Sequence, residues 1–435
     1  MNKKYIPLAA GLILVVLLAL LPFANDILPF LPPGAINNYT LHVLIIGFFY
    51  AMLASSWALL MGYAGQFSFA HMAFAGVGAY TTGLMARYFS TNAAVGIIAG
   101  TLLAGFFGLI VGALCLRLRR TYLALFTIAF AEILRLVLSA EKDYTEGPNG
   151  LPVPPLLPDG LDLGFYFFER VNVIPPYYIM FTLLLITLGL MSWLAASRFG
   201  LFLKSIREDE EAAAALGVNV VRYKIVVFVV TSMVAGLAGA TRAHYVTVIA
   251  PNDMIILWMS IVITMAVLGG IESLVAAAIG GVAVFWALEY LRADFELTTV
   301  GAAIMTLGLT IAVFQLSRYG AKRLFGVEKL KGVQNAVTGI VSFVLALLVA
   351  QVLSVPVTTG IANGIYDMTG YIVPGTIDMS AWRLVFFGLV LMLTLRFYQN
   401  GLLYPLIEYF YRPGDREETV AKRDAAGQVA EAEVS

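Results

Sequence analysis

The chain has 435 residues and no net formal charge; 60% of its residues are hydrophobic and only 12% are charged. A soluble domain carries roughly 45–50% apolar and about 25% charged residues, so the composition excludes an ordinary globular protein. Cys115 is the single cysteine and the three histidines are widely separated, which excludes a disulfide framework and a metal site, and a zero net charge argues against nucleic acid as partner.

A membrane-crossing helix needs about 20 mainly apolar residues. Taken in chain order, such runs occur at 5–24, 41–61, 64–86, 93–116, 121–140, 177–196, 225–248, 255–271, 274–291, 300–317, 333–354 and 383–403. The expected fold is an all-α integral membrane protein, a polytopic helical bundle of about twelve spans. The first run reads as a retained span rather than a cleaved signal. Its apolar stretch is long, and Pro22 stands where a small residue would precede cleavage at Ala24. The weakest run is 64–86, which is rich in glycine and carries Gln66, Ser68 and His71, so a broken helix is expected there. The runs at 255–271 and 274–291 are joined by a short glycine turn and could form a re-entrant pair.

Lys and Arg collect in cytoplasmic loops. Threaded from a cytoplasmic N-terminus, the chain places all but seven of its 27 basic residues inside. The seven are Arg87, Arg135, Lys142, Arg170, Arg242, Arg292 and Arg383. Both termini are then cytoplasmic. The 141–176 loop lies outside, and the charged residues 412–435 form a disordered cytoplasmic tail.

Between the spans, Ser197–Lys224 is too polar to cross a membrane. It contains the helix-forming run Glu210-Glu211-Ala212-Ala213-Ala214-Ala215-Leu216, preceded by Glu208 and Asp209 and stopped by Gly217. Such a helix is either an ordinary loop helix or a docking element for another protein. The pattern R-E-D-E-x-A-A-x-x-x-G-V from Arg207 onward resembles the coupling loop of permeases in branched-chain amino acid ABC importers of the LivM type. The run from Gly62 through Gly65, Gln66, Ser68, His71 and Phe74 to Gly76, Gly78 and Tyr80 is similar to a second signature of that family. Polar groups on irregular backbone at membrane depth survive only where protein or a water path satisfies them. The alternative for each of these residues is simple helix packing.

Three shorter matches extend the resemblance: Tyr122–Arg135, Thr145–Leu151 and Val267–Ser273. In the last two, Glu146, Glu272 and Ser273 depart from the family pattern, two of them where it has glycine, which puts the local backbone shape in question. Glu132 and Arg135 share a helix face, so Glu132 is either a pathway residue or half of a structural pair. The resemblance covers roughly 40–292 and returns at 382–404. Residues 1–292 and 382–411 are therefore read as the permease domain, and 293–381 as an inserted two-span hairpin.

The resemblance implies a permease subunit in the inner membrane, with Arg207, Glu208, Asp209, Glu210, Glu211, Ala213 and Gly217 coupling it to an ATPase. Pathway candidates are Gly62, Gly65, Gln66, Ser68, His71, Phe74, Gly76, Tyr80, Glu132, Gly269 and Gly270. No Gly-Lys dipeptide occurs, so the chain has no phosphate-binding loop. ATP would be used by separate cytoplasmic ATPase subunits, with no cofactor on this chain and no catalysis by it. A second permease subunit and a periplasmic solute-binding protein complete the implied assembly. The alternatives are a self-sufficient secondary transporter or a urea or amide channel.

Overall fold

The computed structural model describes residues 6–24, 37–115, 120–156, 161–162, 167–168, 173–290, 295–296 and 376–377, with single helical positions at 360, 363, 368, 388 and 392. The chain divides into two compact units, residues 1–287 with 389–435, and residues 288–388. Apart from those single positions, the expected runs at 300–317, 333–354 and 383–403 and the tail from 412 lie outside the described residues. In the second unit, Phe295–Glu296 pairs antiparallel with Thr376–Ile377, so the two ends of the intervening segment meet.

The first unit is helical. Its principal helices are α1 (Ile6–Leu20), α2 (Asn38–Ala58), α3 (His71–Phe89), α4 (Ala93–Cys115), α5 (Arg120–Ala140), α6 (Ile174–Ala196), α7 (Arg198–Glu208), α8 (Glu210–Ala215), α9 (Val220–Val246), α10 (Ile256–Gly269) and α11 (Leu274–Tyr290). Among the described residues, five helices are long and apolar enough to cross a membrane: Asn38–Tyr63, Ala93–Leu114, Tyr122–Ala140, Ile174–Ala196 and Val220–Val246. The chain is thus a helical membrane protein. Helices α10 and α11 are apolar but short, with 14 and 17 residues. At 1.5 Å per residue, α10 is roughly 21 Å long, less than the hydrocarbon thickness.

Helix α2 is the centre of the bundle and is buried along nearly its whole length. Asn37 caps it, accepting from the Thr40 amide at 2.8 Å. The tightest packing is among α3, α4 and α9, and small residues allow it. A Cβ added to Gly78 would collide with the Gly236 carbonyl, and one at Gly100 would lie 2.6 Å from the Gly78 carbonyl. Lipid tails supply no hydrophobic drive between helices, so close van der Waals approach of this kind has to hold them.

One expectation needs correction. The run at 64–86 is not helical from its start. Helix α2 widens into a π turn over Leu59–Tyr63, Gly65 takes φ 67°, and regular helix resumes only at His71. The apolar residues Phe67, Phe69 and Ala70 continue the hydropathy signal through the break. Its backbone is nevertheless satisfied internally, as burial demands. Trp57 Nε1 donates to the Ser68 carbonyl at 2.8 Å, and the Phe69 amide donates to Thr127 Oγ1 at 3.0 Å. The Ala70 amide donates to Ser68 Oγ at 3.1 Å.

At the far end of the bundle, Leu151–Pro152 (β1) pairs antiparallel with Val248–Ile249 (β2). His244 Nδ1 lies 2.8 Å from the Pro154 carbonyl, which can only accept, so Nδ1 carries the proton. Its Nε2 then accepts from the Thr82 hydroxyl at 2.7 Å. This one imidazole ties α3, α9 and the 141–173 loop together.

Candidate functional site

The polar arm between α6 and α9 holds two helices rather than one. Glu208 closes α7, Asp209 is extended at φ −150°, and α8 runs only over Glu210–Ala215. The reason is the side chain of Asp209, which accepts from the amides of Glu211 and Ala212, both at 3.0 Å, and caps α8. The other end of α8 has a matching stop. The Gly217 amide donates to the Ala214 carbonyl at 2.9 Å and the Val218 amide to the Ala213 carbonyl at 3.1 Å, with Gly217 at φ 87°. Ala213 is buried with Ile206 and Val220, and this seats α8 on α7 and α9. Lys224 Nζ lies 2.5 Å from Glu210 Oε2. The remaining surface is open: Glu211, Ala212, Ala214, Ala215 and Leu216 are exposed, Leu216 at 87%. Leu216 thus stands as an exposed apolar side chain beside the alanines of a helix capped at both ends.

Arg207 joins this arm to the bundle. Its Nη1 donates to the Gly62 carbonyl at 2.5 Å and lies 3.4 Å from Glu272 Oε1. Its Nη2 donates to Glu208 at 2.8 Å. The Gly62 carbonyl belongs to the π turn, and Glu272 to the turn between α10 and α11. Gly65 packs on the Arg207 stem, where an added Cβ would stand 3.0 Å from Cγ. Lys204 Nζ stands 4.9 Å from the centre of the Tyr63 ring. Three segments separated by up to 210 residues in sequence, 62–65, 204–208 and 269–272, thus meet at one guanidinium.

The pathway candidates divide into groups. Gly62 and Gly65 belong to the Arg207 junction, while Gln66 and Ser68 lie in the break that follows it. His71 starts α3 and is fully buried. No hydrogen bond of ordinary geometry reaches its ring nitrogens or Gln66 Oε1. Phe74 is buried against Phe130, with ring centres 5.7 Å apart. Gly269 packs on the Ala276 carbonyl, and Gly270 makes the turn at φ 125°. Glu132 closes on Arg135 through two hydrogen bonds on the half-exposed helix α5, one of them from Arg135 Nε at 3.0 Å. Its carboxylate does not reach the other pathway candidates.

Gly76 lines a small pocket, with a cavity volume of about 20 Å³, together with Phe49, Met72, Ala75, Arg242, Asp253 and Met254. Tyr80 packs beside it against Ala79, Ala243, Ile249 and Met254. Arg242 and Asp253 were not singled out from the sequence. The signal was present, because an arginine inside an apolar span is a functional candidate by default. Asp253 sits in the 3₁₀ turn Pro251–Met254, 11 residues further on and beyond the end of α9, so no helical spacing joins the two.

A sequence profile of the family described as branched-chain amino acid transport system / permease component matches residues 39–314. The chain belongs to this family. The match continues past residue 292, into the segment read from the sequence as an insert. Among curated relatives, the chain is 27% identical over 283 residues to the high-affinity branched-chain amino acid transport system permease protein LivM of Escherichia coli (strain K12). It is 26% identical over 280 residues to the corresponding LivH of Salmonella typhimurium. A probable LivM of Methanocaldococcus jannaschii is 25% identical over 199 residues. The aligned regions cover 61%, 61% and 44% of this chain, and 66%, 90% and 56% of those relatives. The chain therefore spans just under two thirds of the LivM of Escherichia coli. No solved structure matches the chain.

Proposed function

We propose that this chain is a transmembrane permease subunit of an ATP-binding-cassette importer that moves branched-chain amino acids across the inner membrane. Twelve spans with both termini in the cytoplasm, ATPase subunits that dock on α8, a second related permease and a periplasmic solute-binding protein belong to this reading. The chain binds no cofactor and hydrolyses nothing. The observation that carries the reading is the Arg207 junction, where α7, on which the exposed, double-capped α8 is seated, is fastened to the π turn of α2 and to the α10–α11 turn. Force applied to α8 by closing ATPases reaches the broken helix through α7, by way of Arg207 and Lys204, and such differential contact is what conversion between two states requires. A secondary transporter has no use for an exposed apolar docking helix. Its candidate ion ligand, Glu132, is already closed on Arg135.

The test is on α8. Replacing Glu210 and Glu211 by Lys sets like charge against Lys224 and opposes the helix dipole, at roughly 0.3–1 kcal/mol per charge. Gly217→Val puts a β-branched residue at φ 87°, a conformation it avoids. Both variants are expected to insert normally yet lose ATP-dependent uptake and ATPase co-purification. Near-normal uptake with the ATPase still bound in both would overturn the coupling role.

A further inference from the structure

Helix α7 has two faces, and one of them is uncovered. Gly200, Leu203 and Ile206 recur every three residues and are buried. Arg198, Leu201, Phe202 and Ser205 share the other face and are exposed, Leu201 at 66%. The preceding helix shows the same kind of exposure. Ile186, Leu190 and Trp193 form an exposed stripe at helical spacing on α6, a helix apolar enough to cross a membrane, so this stripe faces lipid. The level of α7 in the bilayer follows from α9. Val220 packs with Ile206 near the end of α7, and Tyr223 meets Phe202 and Phe199 with ring centres 5.1 and 5.3 Å apart. Helix α9 therefore runs back along α7, and its uncharged apolar sequence begins directly after Lys224. The start of α7 lies where α9 enters the hydrocarbon, and the acidic residues 208–211 lie at the far end. Phe199, Phe202 and Tyr223 gather at this level, as aromatic side chains do at a membrane–water interface.

Two cations stand beside this face. Arg198 and Arg222 are exposed and adjoin Phe199 and Tyr223 in sequence, and neither guanidinium has an ion pair or hydrogen bond among the described residues. The other cations of the arm are engaged: Arg207 by Glu208 and Glu272, Lys224 by Glu210, and Lys204 by the Tyr63 ring. We infer that the first half of α7 and the start of α9 form an interfacial face for anionic phospholipid. Leu201 and Phe202 enter the acyl boundary, as the apolar side of an interfacial helix does. Arg198 and Arg222 take headgroup phosphate, whose oxygens match the paired N–H donors of a guanidinium. Charge complementarity selects lipid as the occupant: phosphate pairs both arginines, whereas an apolar protein surface laid on Leu201 and Phe202 would leave them unpaired. The face holds at a fixed depth the helix that carries Arg207 and seats α8. It goes beyond the import reading and does not depend on it.

The experiment uses the complex purified through this full-length chain and reconstituted in vesicles of phosphatidylcholine mixed with phosphatidylglycerol. Leu201→Cys in a Cys115→Ser background carries a nitroxide label. Dissolved oxygen, which concentrates among acyl chains, is expected to relax this label more than a water-soluble nickel chelate does. The reverse is expected for a label at Ala214→Cys on α8. Greater access of the chelate at position 201 would put the face in water, and exclusion of both agents would mean that protein covers it; either result overturns the proposal. Headgroup preference is read from the binding of fluorescent phosphatidylglycerol to the complex in detergent. A basic residue near an anionic surface contributes about fivefold in affinity, so Arg198→Gln with Arg222→Gln should weaken binding by about tenfold or more. Arg198→Lys with Arg222→Lys keeps both charges and should retain most of it. Affinity unchanged in the Gln variant, or lost equally in the Lys variant, would overturn the phosphate contacts and the proposal with them. If the Gln variant fails to assemble, the label at position 201 decides alone, since it leaves both arginines in place.

Discussion

Glu146 sits at φ 60° and ψ 2°, in the left-handed region that the family pattern fills with glycine. The backbone shape put in question by this departure is thus kept, against a side chain that disfavours it by roughly 1–2 kcal/mol. The side chain offers something back: Glu146 Oε1 lies 2.6 Å from Arg87 Nη1, tying the loop to the end of α3. Both groups are about a third exposed, so the pair contributes at most about 1 kcal/mol. Glycine would in turn enlarge the unfolded ensemble, at a cost of about 0.4–1 kcal/mol. These effects nearly cancel, and Glu146→Gly is expected to change stability by less than about 1 kcal/mol, measured by thermal unfolding in detergent. A loss above about 2 kcal/mol would mean that the Arg87 pair outweighs the strain. Glu272 is the second such departure, and it too answers an arginine, Arg207. From the sequence each looked like a disturbed glycine turn. Their partners lie 59 and 65 residues away in sequence, where no local rule reaches.

At the scale of elements, what was legible followed from continuous chemistry. Long apolar runs gave α2, α4, α5, α6 and α9 within a few residues, because membrane depth dictates both length and composition. Helix α7 was missed, since Lys204 and Arg207 interrupt its apolar stripe and its buried residues are only Gly200, Leu203 and Ile206. The glycine-rich break was expected, but its end was not, because apolar residues on irregular backbone look like helix to any hydropathy reading. The junction of α7, the π turn and the α10–α11 turn could not be read at all, as it exists only once the three are folded together. Its role can be measured. Arg207→Gln keeps the length of the side chain and loses its charge, and with it the grip on Gly62 and Glu272. Residues along a coupling route shift it by about 0.5–2 kcal/mol, so solute moved per ATP should fall roughly two- to thirtyfold with the ATPase still bound. Glu272→Gln should cost less, because the Arg207–Gly62 hydrogen bond survives. If Arg207→Gln releases the ATPase instead, this residue supports docking and not transmission.

At the scale of the molecule, contacts between distant segments sort themselves toward two ends of the bundle. Near one end are Gly62, Arg207 and Glu272, together with Tyr63 and Lys204. Near the other, His42 Nδ1 and Tyr245 Oη share a hydrogen bond at 2.7 Å, Arg87 meets Glu146, and Leu151 pairs with Ile249. Helix α2 runs from His42 to the π turn while α9 runs back to Tyr245, so the two are antiparallel. The same alternation holds for α3 from His71 to Arg87, and for α10 and α11 about the Gly270 turn. This sorting reproduces the relative grouping of segments drawn from basic residues alone. It does so even though Arg87 and Arg242 oppose the charge rule, and both of these are now seen in pairs with acids. Topology reporters should therefore give one sign at Gly217 and Glu272, cytoplasmic, and the other at Glu146 and Thr247. The pair Gly217 and Glu146 is the sensitive one, since α6 and the 141–173 loop separate them. A common side for these two would mean that α6 does not cross, and a common external side would place α8 beyond the reach of any cytoplasmic ATPase.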